Sequence, residues 1–170
     1  MPNEIIVDVE ACSLEKMKKK ASARLTQPEG DTFTLYCDEG YGIGGDNTAP
    51  PPLSIFTSAV AFCLLTQVTR YASMLKVRVK DAKVNIRSVF NVEGSALKGT
   101  IKGTCEGFNI ELFVESDDSN EAVTRLIRIA HNACFLESTL ASPVKIKYKN
   151  YVNGDEVNDG LSEDEESKLN

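Results

Sequence analysis

The feature that most restricts the fold is a long stretch without any charged side chain. Residues 47–69 are apolar, small or uncharged polar throughout. The pattern predicts a helix over residues 53–72, roughly 30 Å long at 1.5 Å per residue. A helix that is apolar on every side must be covered on every side. We therefore expect it to be the central core element, and two such helices packed together in a dimer would supply the cover.

The composition excludes several classes of function. The chain has 170 residues, 42% of them hydrophobic, and a net charge of -6, which suits one globular domain. A nucleic-acid partner is not expected, because phosphate binding needs a basic surplus. The opening MPNEIIVDVE lacks the pattern of a signal peptide. The longest unbroken apolar run, residues 59–65, is short of the roughly 20 residues of a membrane span. We expect a cytoplasmic protein without a membrane partner.

The cysteines give no metal-binding pattern. The chain has five of them: Cys12, Cys37, Cys63, Cys105 and Cys134. No CxxC spacing occurs and there is a single histidine, which argues against zinc. An odd count without a signal peptide argues against a disulfide scaffold. We expect no metal and no cofactor, with at most one pair of thiols carrying out chemistry and the others structural, Cys105 by packing in the core.

The first half of the chain combines strands with the long helix. EIIVDVE reads as a strand, SLEKMKKK as a solvated helical turn, and the runs around QPEGD as a hairpin. The loop DEGYGIGGDNTAPPP is too rich in Gly and Pro for regular structure, and it is a candidate wall of a site. Pro52 fits the first position of the helix that follows.

The second half predicts a hairpin, a helix and a strand. The alternation of apolar residues changes parity near Asp81, which indicates a β-bulge. Asp118 and Glu121 have the spacing of a capping box, and the helix they open is expected to run through Cys134 to Ser142. VKIKYK alternates as a last strand.

These elements define an α+β chain with segregated helices and strands. We expect residues 1–150 to form one domain, with 1–20 as an N-terminal extension. Residues 151–170 are acidic and are expected to be a disordered tail.

The residues around Cys63 resemble the OsmC/Ohr-like proteins, which include osmotically inducible protein C and organic hydroperoxide resistance proteins. LYCDEGYGIGGDNTAPPPLSIFTSAVAFC carries an acidic pair, a Gly-Gly, an Asp, spaced prolines and an Ala-rich helix with a cysteine. AHNACFLESTL resembles the region of the family's second cysteine, Cys134 here. The resemblance covers roughly residues 21–150.

The resemblance implies an OsmC-like fold, in which two core helices and a mixed β-sheet form an intertwined homodimer with sites at its interface. It also implies a two-cysteine peroxidase that uses an organic hydroperoxide and an external dithiol reductant. The Cys63 thiolate would attack the peroxide and become a sulfenic acid, and Cys134 would resolve it to a disulfide. Their Cα atoms would have to lie within about 7 Å.

Three departures from the family leave a second hypothesis open. Ser54 stands where active members carry a glutamate, no arginine lies between Arg24 and Arg70, and Phe135 replaces a proline after the second cysteine. His131 is a candidate replacement base. The chain could therefore be a relative that binds a small apolar ligand or relays sulfur on Cys63.

The loop supplies the remaining candidates for the walls of such a site. They are Asp38, Glu39, Asp46 and Pro52.

Overall fold

The computed structural model describes residues 4–157. The chain divides into two compact units, Met1–Glu137 and Ser138–Asn170. The first unit contains two antiparallel sheets and the two longer helices, and the second contains a short hairpin. The α+β class expected from the sequence is confirmed.

The N-terminal sheet has three antiparallel strands in the order β1 (Ile6–Ser13), β2 (Lys19–Gln27) and β3 (Glu29–Cys37). The predicted first strand and the hairpin around QPEGD are confirmed. The helical turn predicted at SLEKMKKK is wrong. A tight turn closes there through the Leu14 N–H and the Lys18 carbonyl, 2.9 Å apart, and Lys19 already belongs to β2.

The uncharged stretch forms helix α1 (Pro52–Leu75), with a proline at its start as predicted. Its end is marked by Lys76, whose left-handed φ of 57° allows its N–H to bond back to the last turn. By length and composition alone α1 could also cross a membrane, contrary to the argument from its longest apolar run. The core helix of a soluble protein passes the same test.

The second sheet pairs β4 (Val79–Glu93) with β5 (Lys102–Ser116). The register shifts between Val79 and Asp81, so the predicted bulge is confirmed. Cys105 lies exposed on β5, and its expected core position is wrong. Leu97 and Ile101, two apolar residues between β4 and β5, are exposed as well, so this part of the hairpin is uncovered.

Helix α2 (Asn120–Asn132) is capped by Ser119, whose hydroxyl accepts the Ala122 N–H. The predicted capping box of Asp118 and Glu121 is wrong, because the Asp118 carboxylate instead accepts the backbone N–H of Arg78 at 2.6 Å. This carboxylate also pairs with the Arg78 guanidinium at 3.2 Å.

The single helix predicted through Cys134 is also wrong. Helix α2 ends at Asn132, and a separate helix α3 (Phe135–Ala141) follows. Two residues, Ala133 and Cys134, lie between them.

The second unit departs most from the sequence prediction. VKIKYK forms no strand, and its alternating Val144, Ile146 and Tyr148 are exposed, because these residues have no neighbouring strand to pair with in the described part of the unit. Strands β6 (Asn150–Val152) and β7 (Asp155–Val157) form a hairpin instead. This hairpin occupies the start of the predicted disordered tail, and the rest of that tail lies outside the described residues.

The core of the first unit lies where α1 packs against α2 and the β4–β5 sheet. Each fully buried leucine there contributes about 1.5–3 kcal/mol. Phe108 of β5 contacts Phe56 of α1 and Phe90 of β4 edge-on, with centroids 6.0 Å apart, which holds the start of the helix on the sheet. The buried cluster at the other end of the helix comprises Leu64, Val68, Ala72, Leu126, Ala130 and Cys134.

Candidate active site: a buried thiol pair

Cys63 and Cys134 are neighbours in this core. Cys63 lies on α1, is half-buried, and packs against the cluster that contains Cys134. Cys134 is fully buried, with 0% of its surface exposed. The two side chains form a hydrogen bond, and both are free thiols. The structure therefore brings together the two cysteines singled out from the sequence.

The surroundings of Cys134 favour its protonated form. Its pKa is raised from 9.0 to about 11, and burial is the main cause because it disfavours the charged thiolate. The backbone N–H of Glu137 donates to the sulfur and opposes this effect. The hydrogen bond and charge of Cys63 and the charge of Glu137 raise the pKa further. At neutral pH, Cys134 is a thiol and not a thiolate.

The local chain path explains this contact. Cys134 directly precedes α3, and Glu137 is the third residue of that helix. The first N–H groups of a helix have no partner within it, and the Glu137 N–H finds the sulfur of Cys134. The break between α2 and α3 thus turns the thiol toward α1 and gives it a backbone hydrogen bond.

His131 and Glu137 form a polar pair beside the thiols. The Nδ1 atom of His131 lies 2.9 Å from Oε2 of Glu137. The two side chains are 35% and 19% exposed. The other carboxylate oxygen, Oε1, is buried and has no hydrogen-bond partner among residues 4–157.

Sequence reasoning named His131 and missed Glu137. The signal for Glu137 was its position three residues after Cys134, which is the spacing of a capping box at a helix start. The prediction of one continuous helix through Cys134 obscures this signal.

The acidic Gly-rich motif builds the loop before α1. Asp38 is 1% exposed, and its carboxylate accepts the backbone N–H groups of Glu39, Asp46 and Thr48 at 2.9, 3.3 and 3.0 Å. The Thr48 hydroxyl adds a bond of 2.9 Å. These bonds, the Thr48 N–H first, hold the pKa of Asp38 below its usual value against the effect of burial. Asp38 thus stabilises its own loop through these four hydrogen bonds.

The loop also requires a residue without a side chain at Gly45. A Cβ on Gly45 would lie 1.9 Å from the Glu39 carbonyl oxygen. Asp46 points outward and pairs with Lys16 at the surface. The hydrogen bonds of Glu39 and Asp46 lie within the loop or reach Lys16 in the turn between β1 and β2.

Ser54 lies at the far end of α1 from the thiols. It is exposed in the first turn that Pro52 begins, and Cys63 follows about 13 Å further along the axis at 1.5 Å per residue. Ser54 lines a surface depression of about 540 Å³ together with Arg87, Ser88 and Phe90 of β4. Within one chain, the position of the family's glutamate does not reach Cys63.

The comparisons with known proteins establish the family. A model of the family described as OsmC-like protein matches residues 45–149, and the chain belongs to this family. The resemblance seen in the residues around Cys63 and Cys134 is thereby confirmed. Comparison with curated protein sequences gave no significant match.

Solved structures share the fold. An OsmC-like hydroperoxide resistance protein from Jannaschia sp. is 29% identical, with a TM-score of 0.58 over 89% of this chain and 97% of that one. An OsmC-like protein from Mycoplasma pneumoniae is 17% identical (TM-score 0.57, 83% and 89%). An organic hydroperoxide resistance protein OsmC from Legionella pneumophila is 15% identical (TM-score 0.51, 82% and 90%).

Proposed function

We propose that this protein is a thiol-dependent peroxidase that reduces organic hydroperoxides, with Cys63 as the peroxidatic and Cys134 as the resolving cysteine. The observation that carries the proposal is the hydrogen bond between these two thiols inside an apolar core. The family and the hydroperoxide resistance names of similar structures support it. The protein would act in the cytoplasm, where thiols are kept reduced.

The two cysteines differ in the way that the two roles require. Cys134 is fully buried and stays protonated at neutral pH, so it is poorly suited to meet a substrate first. Cys63 is only half-buried. A thiolate at Cys63 would attack the distal peroxide oxygen, break the O–O bond, and release the alcohol after that product takes up a proton.

The second step closes the cycle on the enzyme. Sulfur of Cys134 attacks the sulfenic sulfur of Cys63, the S–S bond forms, and the S–O bond breaks to release water. An external dithiol then reduces the disulfide and restores both thiols. The apolar side chains around the pair would favour an alkyl hydroperoxide over a polar oxidant.

A homodimer is part of the proposal. Phe62 is 67% exposed on α1 next to Cys63. It lines a depression of about 490 Å³ with Leu65, Thr66, Thr69 and Arg70 on the same helix. Exposed apolar patches of this kind mark interaction sites. A second copy of the chain, uncharged over residues 47–69, would cover this face and enclose the thiol pair.

The proposal is tested by steady-state consumption of cumene hydroperoxide with dithiothreitol as reductant. The unmodified protein should consume peroxide catalytically, and Cys63→Ser should abolish the consumption. A rate that is the same in the protein and in Cys63→Ser would reject the peroxidase function. Cys105→Ser is the control, because that thiol is exposed on β5 away from the pair.

One observation favours the second candidate, a relative that binds a small apolar ligand or relays sulfur. Ser54 stands at the position of the family's glutamate, and no arginine lies between Arg24 and Arg70. A cationic neighbour is the usual means of activating a catalytic thiol. Mass spectrometry after hydroperoxide treatment separates the two candidates, because free thiols that persist at Cys63 and Cys134 favour the second.

A further inference from the structure

Disulfide formation at this site poses a proton-transfer problem. The attacking group in the second step is the thiolate of Cys134, but Cys134 is a fully buried thiol. Cys134 has no exposed surface from which this proton could pass directly to solvent. An acceptor in the protein must therefore take this proton as the sulfur attacks.

Glu137 is the carboxylate whose charge acts on this thiol. Its backbone N–H donates to the Cys134 sulfur, which fixes the residue against the thiol, and its charge acts on the same sulfur. Oε2 is held by His131 at 2.9 Å. Oε1 is buried and has no partner among the described residues. One oxygen is thus anchored, and the other is buried without a hydrogen bond among the described residues, which is a costly state for a polar group.

We infer that Glu137 is the proton acceptor for Cys134 when the disulfide forms, and that His131 is a positioning residue that holds its carboxylate. The inference rests on the proposed two-thiol chemistry and adds a residue to it. The Cys134 S–H proton passes to Oε1 as the S–S bond to Cys63 forms. Hydroxide leaves the sulfenic sulfur and takes up this proton as water, so Glu137 returns to its carboxylate form.

A purely electrostatic role for Glu137 predicts the opposite effect. The carboxylate charge raises the pKa of Cys134, so its removal alone would increase the thiolate fraction and speed the attack. Loss of a proton acceptor would slow the attack. The sign of the change in rate therefore distinguishes the two roles.

The test uses the full chain with Cys12, Cys37 and Cys105 replaced by serine, and Ellman's reagent in place of peroxide. The reagent forms a mixed disulfide at Cys63 and releases one aromatic thiolate. Attack by Cys134 then releases a second one in a slower phase. Glu137→Gln should slow the second phase about a hundredfold, the lower end of general-base contributions, with little change in the first. Glu121→Gln, an exposed carboxylate on α2, is the matched control.

The outcomes separate this inference from the peroxidase proposal. A second phase that is unchanged or faster in Glu137→Gln overturns the role of Glu137. The assay with Ellman's reagent contains no peroxide and is independent of the peroxidase assay. Failure of the unmodified protein to consume cumene hydroperoxide would reject the peroxidase function and leave the measured role of Glu137 in disulfide formation unchanged. For His131, the alanine variant should slow the second phase and His131→Asn, which keeps an N–H donor, should restore it. An alanine variant as fast as the parent overturns the positioning role.

Discussion

The thiol of Cys63 on α1 hydrogen-bonds to the thiol of Cys134 at the junction between α2 and α3. The two residues are distant in the sequence and belong to different helices, so the contact exists only in the folded chain. The junction also places the Glu137 N–H on the Cys134 sulfur. One short break between α2 and α3 thus sets both the hydrogen-bond partners and the protonation state of Cys134.

Replacement of the resolving thiol should stop the cycle after one turnover. In Cys134→Ser, hydroperoxide should still oxidise Cys63 to the sulfenic acid, because the first step does not use Cys134. No disulfide can follow, so steady-state consumption with dithiothreitol should fall about tenfold or more while stoichiometric consumption persists. A sulfenic-acid trap read by mass spectrometry checks the intermediate. Full steady-state activity in this variant would remove Cys134 from the mechanism.

The thiol of Cys134 should make stability fall at alkaline pH. Its folded-state pKa, about 11, lies above the ordinary value of 9.0, so the folded chain keeps a proton that the unfolded chain releases in this range. The resulting stabilisation is complete below pH 9 and is lost as the pH rises to about 11 and beyond. The unfolding free energy of the protein relative to Cys134→Ala should therefore shrink by about 2 kcal/mol between pH 8 and pH 11.

Urea unfolding under reducing conditions at several pH values measures this difference. The same substitution at the exposed Cys105 serves as the control for thiol loss. A difference between protein and Cys134→Ala that stays constant from pH 8 to pH 11 contradicts the raised pKa.

The loop before α1 should be intolerant of a side chain at one glycine and tolerant at another. Gly45→Ala places a Cβ 1.9 Å from the Glu39 carbonyl oxygen, whereas a Cβ on Gly42 meets nothing within 4 Å. We expect Gly45→Ala to cost about 2–4 kcal/mol of unfolding free energy. Gly42→Ala should change it little. Equal stabilities of the two variants in urea unfolding would be incompatible with the loop geometry.

The face of α1 around Phe62 should be needed for self-association. Phe62→Asp adds a charge to a face that a second copy would bury, and an unpaired buried charge is costly. We expect this variant to sediment as a monomer and the unmodified protein as a dimer. Leu97→Asp, in the fully exposed turn between β4 and β5, is the control. A dimer that survives Phe62→Asp would place the interface elsewhere.

Patterns with a fixed local period were readable from the sequence. The absence of charge from residues 47–69 predicted the central helix, because a helix apolar on all sides must be buried. The parity change at Asp81 predicted the β4 bulge, because side chains alternate strictly between the faces of a strand. The pairing of Cys63 with Cys134 came from the family resemblance, since nothing local joins the two segments.

The wrong predictions concern features that depend on contacts outside the local sequence pattern or on a break without a local signal. The VKIKYK run alternates correctly but has no strand paired with it in the described part of its unit, and alternation alone cannot supply hydrogen-bond partners. The helix break before α3 contains neither Gly nor Pro, so no standard stop signal marked it. Glu137 and its contact with His131 followed from that break and were missed with it.

The most direct test of the account is the identity of the disulfide formed by one equivalent of cumene hydroperoxide on the fully reduced protein. Peptide mapping by mass spectrometry should show one linkage, between the peptides that contain Cys63 and Cys134, with Cys12, Cys37 and Cys105 still free. The intact mass should fall by two hydrogens. Reduced Cys63 and Cys134 after peroxide treatment, or a linkage that joins either of them to another cysteine, would contradict the proposed mechanism.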